Sequence, residues 1–350
     1  MTTEIKTRNF VAMKCSFGSR RATSYLLLPA LLLLFACGGK KTEGEESVDS
    51  GPIVKVKPAP FNADSAYAFL KKQLDFGYRI PGTDAHKRCS EWLFSTLKRF
   101  CDTVYLQKTT AITWDKKTIP VYNIIGVFNA KSSLRGLYAS HWDSRRIADA
   151  DPDPAKRNNP IAAANDGASG VAVLLEMARQ LKQQKPTHGI DIVFFDAEDW
   201  GNPGSEYPDS YCLGSQYWGK NPHKAGYRAN YGVLLDMVGG KNAVFAKEGY
   251  SEQNAGFVLN HTWAIANELG YGNTFISQNC GPITDDHYYV MKLNGTPMID
   301  IIQHDPNRGS FAEYWHTEAD NLDAIDIATL QKVGNTVTAL VFNPPINIVQ

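Results

Sequence analysis

The sequence has no net charge: Lys and Arg together number 36 and Asp and Glu together number 36 over 350 residues. A balanced chain offers no electrostatic footprint for nucleic acid or for an anionic membrane, so neither is expected as a partner through charge. Cysteine is scarce as well, six in all, and Cys15 and Cys37 lie in the N-terminal segment. For Cys89, Cys101, Cys212 and Cys280 an even count does not establish disulfides, even in an exported protein. Cys89 falls within a helical pattern over 84–100, Cys101 directly after it. At ~1.5 Å rise per residue the two stand roughly 18 Å apart, beyond bridging distance. Buried free thiols are the expectation. Internal repeats are absent from the folded part.

What is present is ordinary globular composition, 43% hydrophobic, enough for one large α/β domain or two small ones. Arg20 and Arg21 precede "YLLLPALLLLFAC", an apolar run too short to span a bilayer as a helix and of signal-peptide length. It ends at Cys37 in a lipobox-like "LFAC", with Leu34 at −3 and Ala36 at −1. This predicts an exported protein, lipid-anchored through Cys37 in the cell envelope; a cleaved secretory signal with an incidental cysteine is the alternative. Met13 also opens a more typical signal than Met1. Residues 38–60, rich in Gly, Lys, Glu, Ser and Pro, read as a flexible tether. Residues 61–350 read as a single catalytic domain.

Within that domain, short apolar runs alternate with helical patterns. Strands are predicted over 121–128, 135–144, 189–199, 231–239 and 295–302. Helices are predicted over 167–184, 251–270 and 325–343, the first with Val171, Leu174, Leu175, Ala178 and Leu181 on one face and Asn165 and Asp166 at its start. The alternation implies an α/β fold, a largely parallel twisted central sheet covered by helices on both faces. Ligands of such sheets bind at the carboxyl ends of the strands, where His141, Asp199 and Asp236 fall.

Taken singly these residues are weak signals. Asp166 alone reads as a helix cap, Asp236 as a solvated strand end, and His316 as a histidine beneath an aromatic ring. Together, His141, Asp166, Asp199, Asp236 and His316 place five metal-capable side chains at element boundaries on one inferred sheet edge. Imidazole and carboxylate ligands without thiolates suit Zn²⁺ with an open position, the catalytic arrangement. Glu198, beside Asp199 in "FFDAEDWG", faces the other way, because consecutive side chains at a strand end diverge. It is the candidate general base and acid. The segment 148–160 reads as a plain Pro- and Asp-rich surface loop, and Trp92, Trp218 and Trp263 as core.

The motifs "SHWDS", "ANDGASGVAVLLEMAR", "FFDAEDWG", "CLGSQYW", "LLDMVG", "DDH" and "WHTEADNLD" occur in the order that resembles the zinc-dependent aminopeptidase-like (M28-type) family. Within it they most resemble the animal-type (type II) glutaminyl cyclases and their bacterial counterparts. The resemblance runs from "DFGYRIPGT" (75–83) to the last helix. It implies one catalytic zinc per chain, held by Asp166, Asp199 and His316, with Glu198 moving the proton. It also implies an acidic hydrogen-bond network that includes Asp236 and Asp285. Trp315 then walls the substrate pocket; Trp200 is a second candidate for substrate binding, although its position does not match a family tryptophan closely. The implied partner is a peptide or protein with N-terminal glutamine, and the chain is expected to act as a monomer. His141 and Asp236 are also what the two-metal aminopeptidases of that family use to complete a second site, so a dinuclear peptidase stays open.

Overall fold

A computed structural model of the chain describes residues 52–204 and 206–346. The signal segment, Cys37 and the first part of the tether lie outside the described residues. Among the described residues, no helix is long and apolar enough to cross a membrane.

Two helices open the domain, α1 (Ala63–Leu74) and α2 (Asp84–Phe100), with Thr83 capping the second by accepting from His86 N at 3.2 Å. A hairpin follows, β1 (Thr103–Ile112) and β2 (Thr118–Phe128), then β3 (Arg135–His141), α3 (Ala168–Gln183) and β4 (Gly189–Phe195). The chain continues through α4 (Leu213–Lys220), β5 (Tyr231–Asp236), β6 (Phe245–Lys247), α5 (Gly249–Glu268) and β7 (Phe275–Asn279). It ends with α6 (Asp286–Asn294), β8 (Met298–Ile302) and α7 (Ile327–Phe342). Six strands form one sheet in the order β1-β2-β4-β3-β5-β8, while β6 and β7 pair separately. From β4 to β8 the pairings are parallel, whereas β1 and β2 join antiparallel.

The strand periodicity of two sorts the core. Tyr138, Ile192, Phe194, Val233 and Leu235 pack on the side of α1, α2, α3, α5 and α7. Leu137, Ala139, Val193, Phe195 and Leu234 face the other side, with Trp218 of α4 and Val290 of α6. Because β3, β4 and β5 are buried along their whole length, a change of register would move every side chain to the wrong layer. The register Ser140↔Phe194, Ala139↔Leu234 and Asp236↔Ile302 therefore brings the carboxyl ends of β3, β4, β5 and β8 to one edge.

The described part of the expected tether is packed on the domain. Residues 52–60 lie along the domain: the Glu268 carboxylate accepts from Ile53 N at 2.8 Å, and Asn343 Oδ1 accepts from Lys55 N and Val56 N at 2.9 Å each. Val54 is buried. The partners come from α5 and the end of α7, so nothing in the local composition announces them. Cys89 and Cys212 are buried free thiols, while Cys101 and Cys280 are free but only partly covered.

Candidate active site

Strand ends and distorted turns together deliver the site residues. His141 is the last residue of β3 and Asp236 the last of β5. Beyond β4 the chain turns at Ala197, which adopts a left-handed φ of 53°, and Met237 (51°), Cys212 (58°) and His316 (54°) do likewise. For residues with a Cβ this costs about 1–3 kcal/mol each, sustained only where the surroundings dictate it. Asp166 does not cap α3: Gly167 occupies the cap position without a side-chain bond, and the Asp166 carboxylate turns to His141. A Cβ on Gly167 would fall 2.4 Å from His141 Nε2, so the close approach of helix and strand needs glycine there.

Two ligand-like groups share Asp166. In one, Asp166, Asp199 and His316 bring their donor atoms within 4.8 Å of one another; His316 Nε2 lies 3.4 Å from Asp199 Oδ1 and 3.7 Å from Asp166 Oδ2. Tetrahedral zinc with bonds of ~2.0 Å separates its ligands by about 3.3 Å, so this set needs little adjustment. Asp199 Oδ2 is buried without a hydrogen-bond partner. The field also favours a cation: burial by itself lowers an imidazole pKa, yet neighbouring carboxylates push His316 up to about 9 and His141 well above its ordinary value. The donor set fits zinc. The second group is His141, Asp166 and Asp236, with His141 Nε2 2.9 Å from Asp166 Oδ1 and 3.2 Å from Asp236 Oδ1.

A shell of buried groups fixes these side chains. The Asp143 carboxylate accepts from Glu198 N (3.0 Å) and Asp199 N (3.1 Å), which locks the turn carrying both acids. Asp320 accepts from Asn165 N and Asp166 N. Arg145, 1% exposed, donates to Asp199 Oδ1 at 2.7 Å and grips Asp149 with two further bonds. Asp149 Oδ1 lies 3.2 Å from His316 Nδ1, an ion-pair distance without hydrogen-bond alignment, so a small rotation of the ring would complete the carboxylate–imidazole pairing that orients metal-binding histidines. The 148–160 segment is therefore not a plain surface loop at its start. Arg145 and Asp149 escaped the sequence reading because nothing in "DSRRIADADPDP" distinguishes a buried ion pair from solvated charge.

Asp166, Glu198, Asp199, Asp236, Asp285, Trp315 and His316 all line one cavity of about 330 Å³, closed by Phe311, Tyr211, Pro208 and Ile302 among others. Trp315 stacks on His316 with ring centroids 3.7 Å apart, and Phe311 packs on Trp315 at 4.9 Å. Trp200 is not among the cavity residues. It is buried against Ile119, Val121 and Ala197, its Nε1 donates to Asp115 Oδ1, and Arg146 covers its ring. The turn at Ala197 leaves it on the far side of the acids. A larger groove of about 810 Å³ shares only Phe311 with the cavity and contains none of the candidate ligands, so the chemistry belongs to the smaller space.

The carboxyls not assigned to metal are set to carry protons. Burial, reinforced by Asp199, Asp285 and Asp286 and opposed by His141, raises Glu198 well above the usual carboxylate range. Burial and Asp166 push Asp236 up to about 8, against the pull of His141. Burial raises Asp285 too, although His287 and the Asp286 N–H oppose it. In all three, burial is the largest cause and favours the protonated form.

The pattern of peptidase family M28 matches residues 123–341, which span every one of these positions. The chain belongs to peptidase family M28. Among solved structures, a Zn-dependent exopeptidase from Parabacteroides distasonis is 50% identical, with a TM-score of 0.80 over 81% of this chain and 99% of that one. The glutaminyl cyclase of Bacteroides thetaiotaomicron, bound to N-acetylhistamine, is 46% identical, with a TM-score of 0.80 over 82% of this chain and 99% of that one. A glutaminyl-peptide cyclotransferase from Bothrops jararaca is 26% identical over 249 residues, 63% of this chain and 64% of that protein. The M28 fold of the chain is thus shared with proteins described under two different activities, a Zn-dependent exopeptidase and a glutaminyl cyclase.

Proposed function

We propose that the chain is a zinc-dependent glutaminyl-peptide cyclotransferase, converting N-terminal glutamine of peptides or proteins to pyroglutamate with release of ammonia and acting as a monomer with one zinc. The observation that carries this reading is the cavity itself. Trp315 and Phe311 line it with packed aromatic rings beside a cluster of carboxyls, an apolar wall against which a folded glutamine side chain can be held for attack by its own amine. The likeness to the Bacteroides cyclase over almost all of its length supports it.

Asp166, Asp199 and His316 would hold the zinc, which when bound supplies Lewis-acid polarisation of the glutamine γ-carbonyl. The carboxylates around the cavity attract the substrate α-ammonium group, and Glu198 takes a proton from the nitrogen as it attacks the carbonyl carbon of the substrate's own γ-carboxamide. The same carboxyl then returns a proton to the departing nitrogen, which leaves as ammonia. Asp236 and Asp285 hold the local charge so that Glu198 can serve in both directions. Trp315 presses the side chain into its folded, reactive shape and excludes water. The envelope anchor through Cys37 belongs to the same reading, since export would bring the enzyme to extracytoplasmic substrates.

A second reading, a two-zinc aminopeptidase, is favoured by one observation: the two ligand-like groups share Asp166, as a bridged pair of metals requires. Zinc content and product mass separate the two. One zinc per chain and loss of one ammonia from a Gln-initiated peptide are expected, with His141→Ala keeping its zinc and measurable cyclisation. Two zincs falling to one in that variant, together with release of the whole first residue, would replace the cyclase by the peptidase.

A further inference from the structure

We infer that the thiol of Cys212 is a positioning residue for Glu198, the hydrogen-bond donor that fixes its carboxylate for proton transfer. Cys212 grips Glu198 twice: its backbone N–H donates to the Glu198 carbonyl at 2.8 Å, and its Sγ lies 3.3 Å from Glu198 Oε1. Among the described residues, no other donor reaches that carboxylate. The next residue continues the clamp, Leu213 N donating to Ala197 O at 3.0 Å.

Two further features distinguish this thiol from a cysteine that merely fills the core. Cys212 is fully buried and sits in a left-handed conformation, φ 58°, at the start of α4. Glycine alone would relieve that strain, yet the chain keeps cysteine there, and the backbone pairing with 197–198 holds it with Sγ within reach of the acid. Burial, together with Glu198, Asp286 and Asp285, keeps the thiol protonated, so the single S–H hydrogen is available to donate and the group is no nucleophile. One oxygen of Glu198 is thereby occupied, and the other is left to exchange protons with substrate.

The inference rests on the acid–base role proposed for Glu198, and its test is built to fail separately from the cyclase reading. Cys212→Ala and Cys212→Ser are compared with wild type on whichever product wild type releases, ammonia or a free first residue, so the product identifies the reaction and the variants test the thiol. Cys212→Ala is expected to lower kcat about tenfold, the weight of one hydrogen bond to the reacting carboxyl. KM and zinc per chain should stay at the wild-type level, and Cys212→Ser, which keeps a donor, should recover part of kcat. A Cys212→Ala enzyme with wild-type kcat, or Ala and Ser variants equally impaired with loss of zinc or melting temperature, overturns the assignment. Infrared spectroscopy tests it without turnover. The S–H stretching band of Cys212, isolated by subtracting the spectrum of Cys212→Ser, is expected to move to higher frequency in Glu198→Gln, because a neutral amide accepts a weaker bond. An unmoved band overturns the proposal as well.

Discussion

Glu198 and Asp199 are neighbours in sequence but separate in duty, and the division is imposed from outside the pair. Both backbone nitrogens bond to Asp143, which sets the turn; Arg145 then holds one oxygen of Asp199 and leaves the other unpartnered, while Cys212 takes Glu198. Glu198→Gln is expected to keep its zinc and lose about 10²–10⁴ in turnover, the usual range for a general acid–base group. Metal analysis beside a rate measurement checks this, and loss of zinc would mean that Glu198 is a ligand. Asp149 acts one step further out, through Nδ1 of His316. Asp149→Ala should weaken zinc about 10–100-fold, as removing an orienting carboxylate does elsewhere, when titrated against a competing chelator. Turnover at saturating zinc should fall far less. Unaltered zinc affinity would show that Trp315 stacking alone orients the ring.

The elements that carry these residues were unequally legible. The apolar spacing of α3 marked it plainly, because thirteen of its residues are buried and the pattern has no competitor. Its start was misread: Asn165 and Asp166 look like caps, but Asn165 bonds to Gly239 N and Gln303, and Asp166 to His141. Strand β1 was missed because it is an edge strand whose side chains are nowhere fully buried, so burial never imposed a clean alternation. Helices α4 and α6 are too short, at 8 and 9 residues, to show a period. Trp200 was drawn toward the site by adjacency to the acids, and only the left-handed turn at Ala197 shows why it points away. Left-handed turns at Ala, Met, Cys and His carry no sequence signature, unlike those at glycine.

Close approach of α3 to the sheet is what brings Asp166 within reach of the strand ends. A Cβ on Gly170 would lie 2.3 Å from Leu235 O and 2.4 Å from Ser140 Oγ. Helix propensity favours alanine over glycine by roughly 1 kcal/mol, but overpacking costs about 1–3 kcal/mol, so the clash wins. Gly170→Ala is expected to lower both the melting temperature and zinc affinity, since the displaced helix begins two residues after the shared ligand Asp166. Gly256→Ala, in α5, meets nothing within 4 Å and should be neutral or stabilising. If both variants behave alike, helix packing does not set the ligand geometry.

At the scale of the whole molecule, the chain is closed by contacts that join distant segments, such as Asn343 at the end of α7 reaching Lys55 and Val56. His188 offers a pH probe of that folded state, since it precedes β4 at the end opposite to the one that leads to Asp199. It is 2% exposed, its Nε2 lies 3.0 Å from the Tyr231 hydroxyl, and burial, with Arg135 adding to it, pushes its pKa down to about 4. The folded protein therefore keeps His188 neutral while the unfolded chain, with an ordinary value near 6.5, takes up a proton first. Stability from this group is complete above pH ~6.5 and is lost as the pH falls toward ~4, by about 3 kcal/mol at ~1.4 kcal/mol per pH unit. Other groups titrate over the same range, so the measurable quantity is a difference. His188→Gln, which cannot titrate, should flatten the fall in unfolding free energy between pH 6.5 and 4 relative to wild type, while leaving the part above pH 7 parallel. Denaturant melts at several pH values give both curves. Curves that stay parallel down to pH 4 would mean that the folded protein protonates His188 as readily as the unfolded chain does.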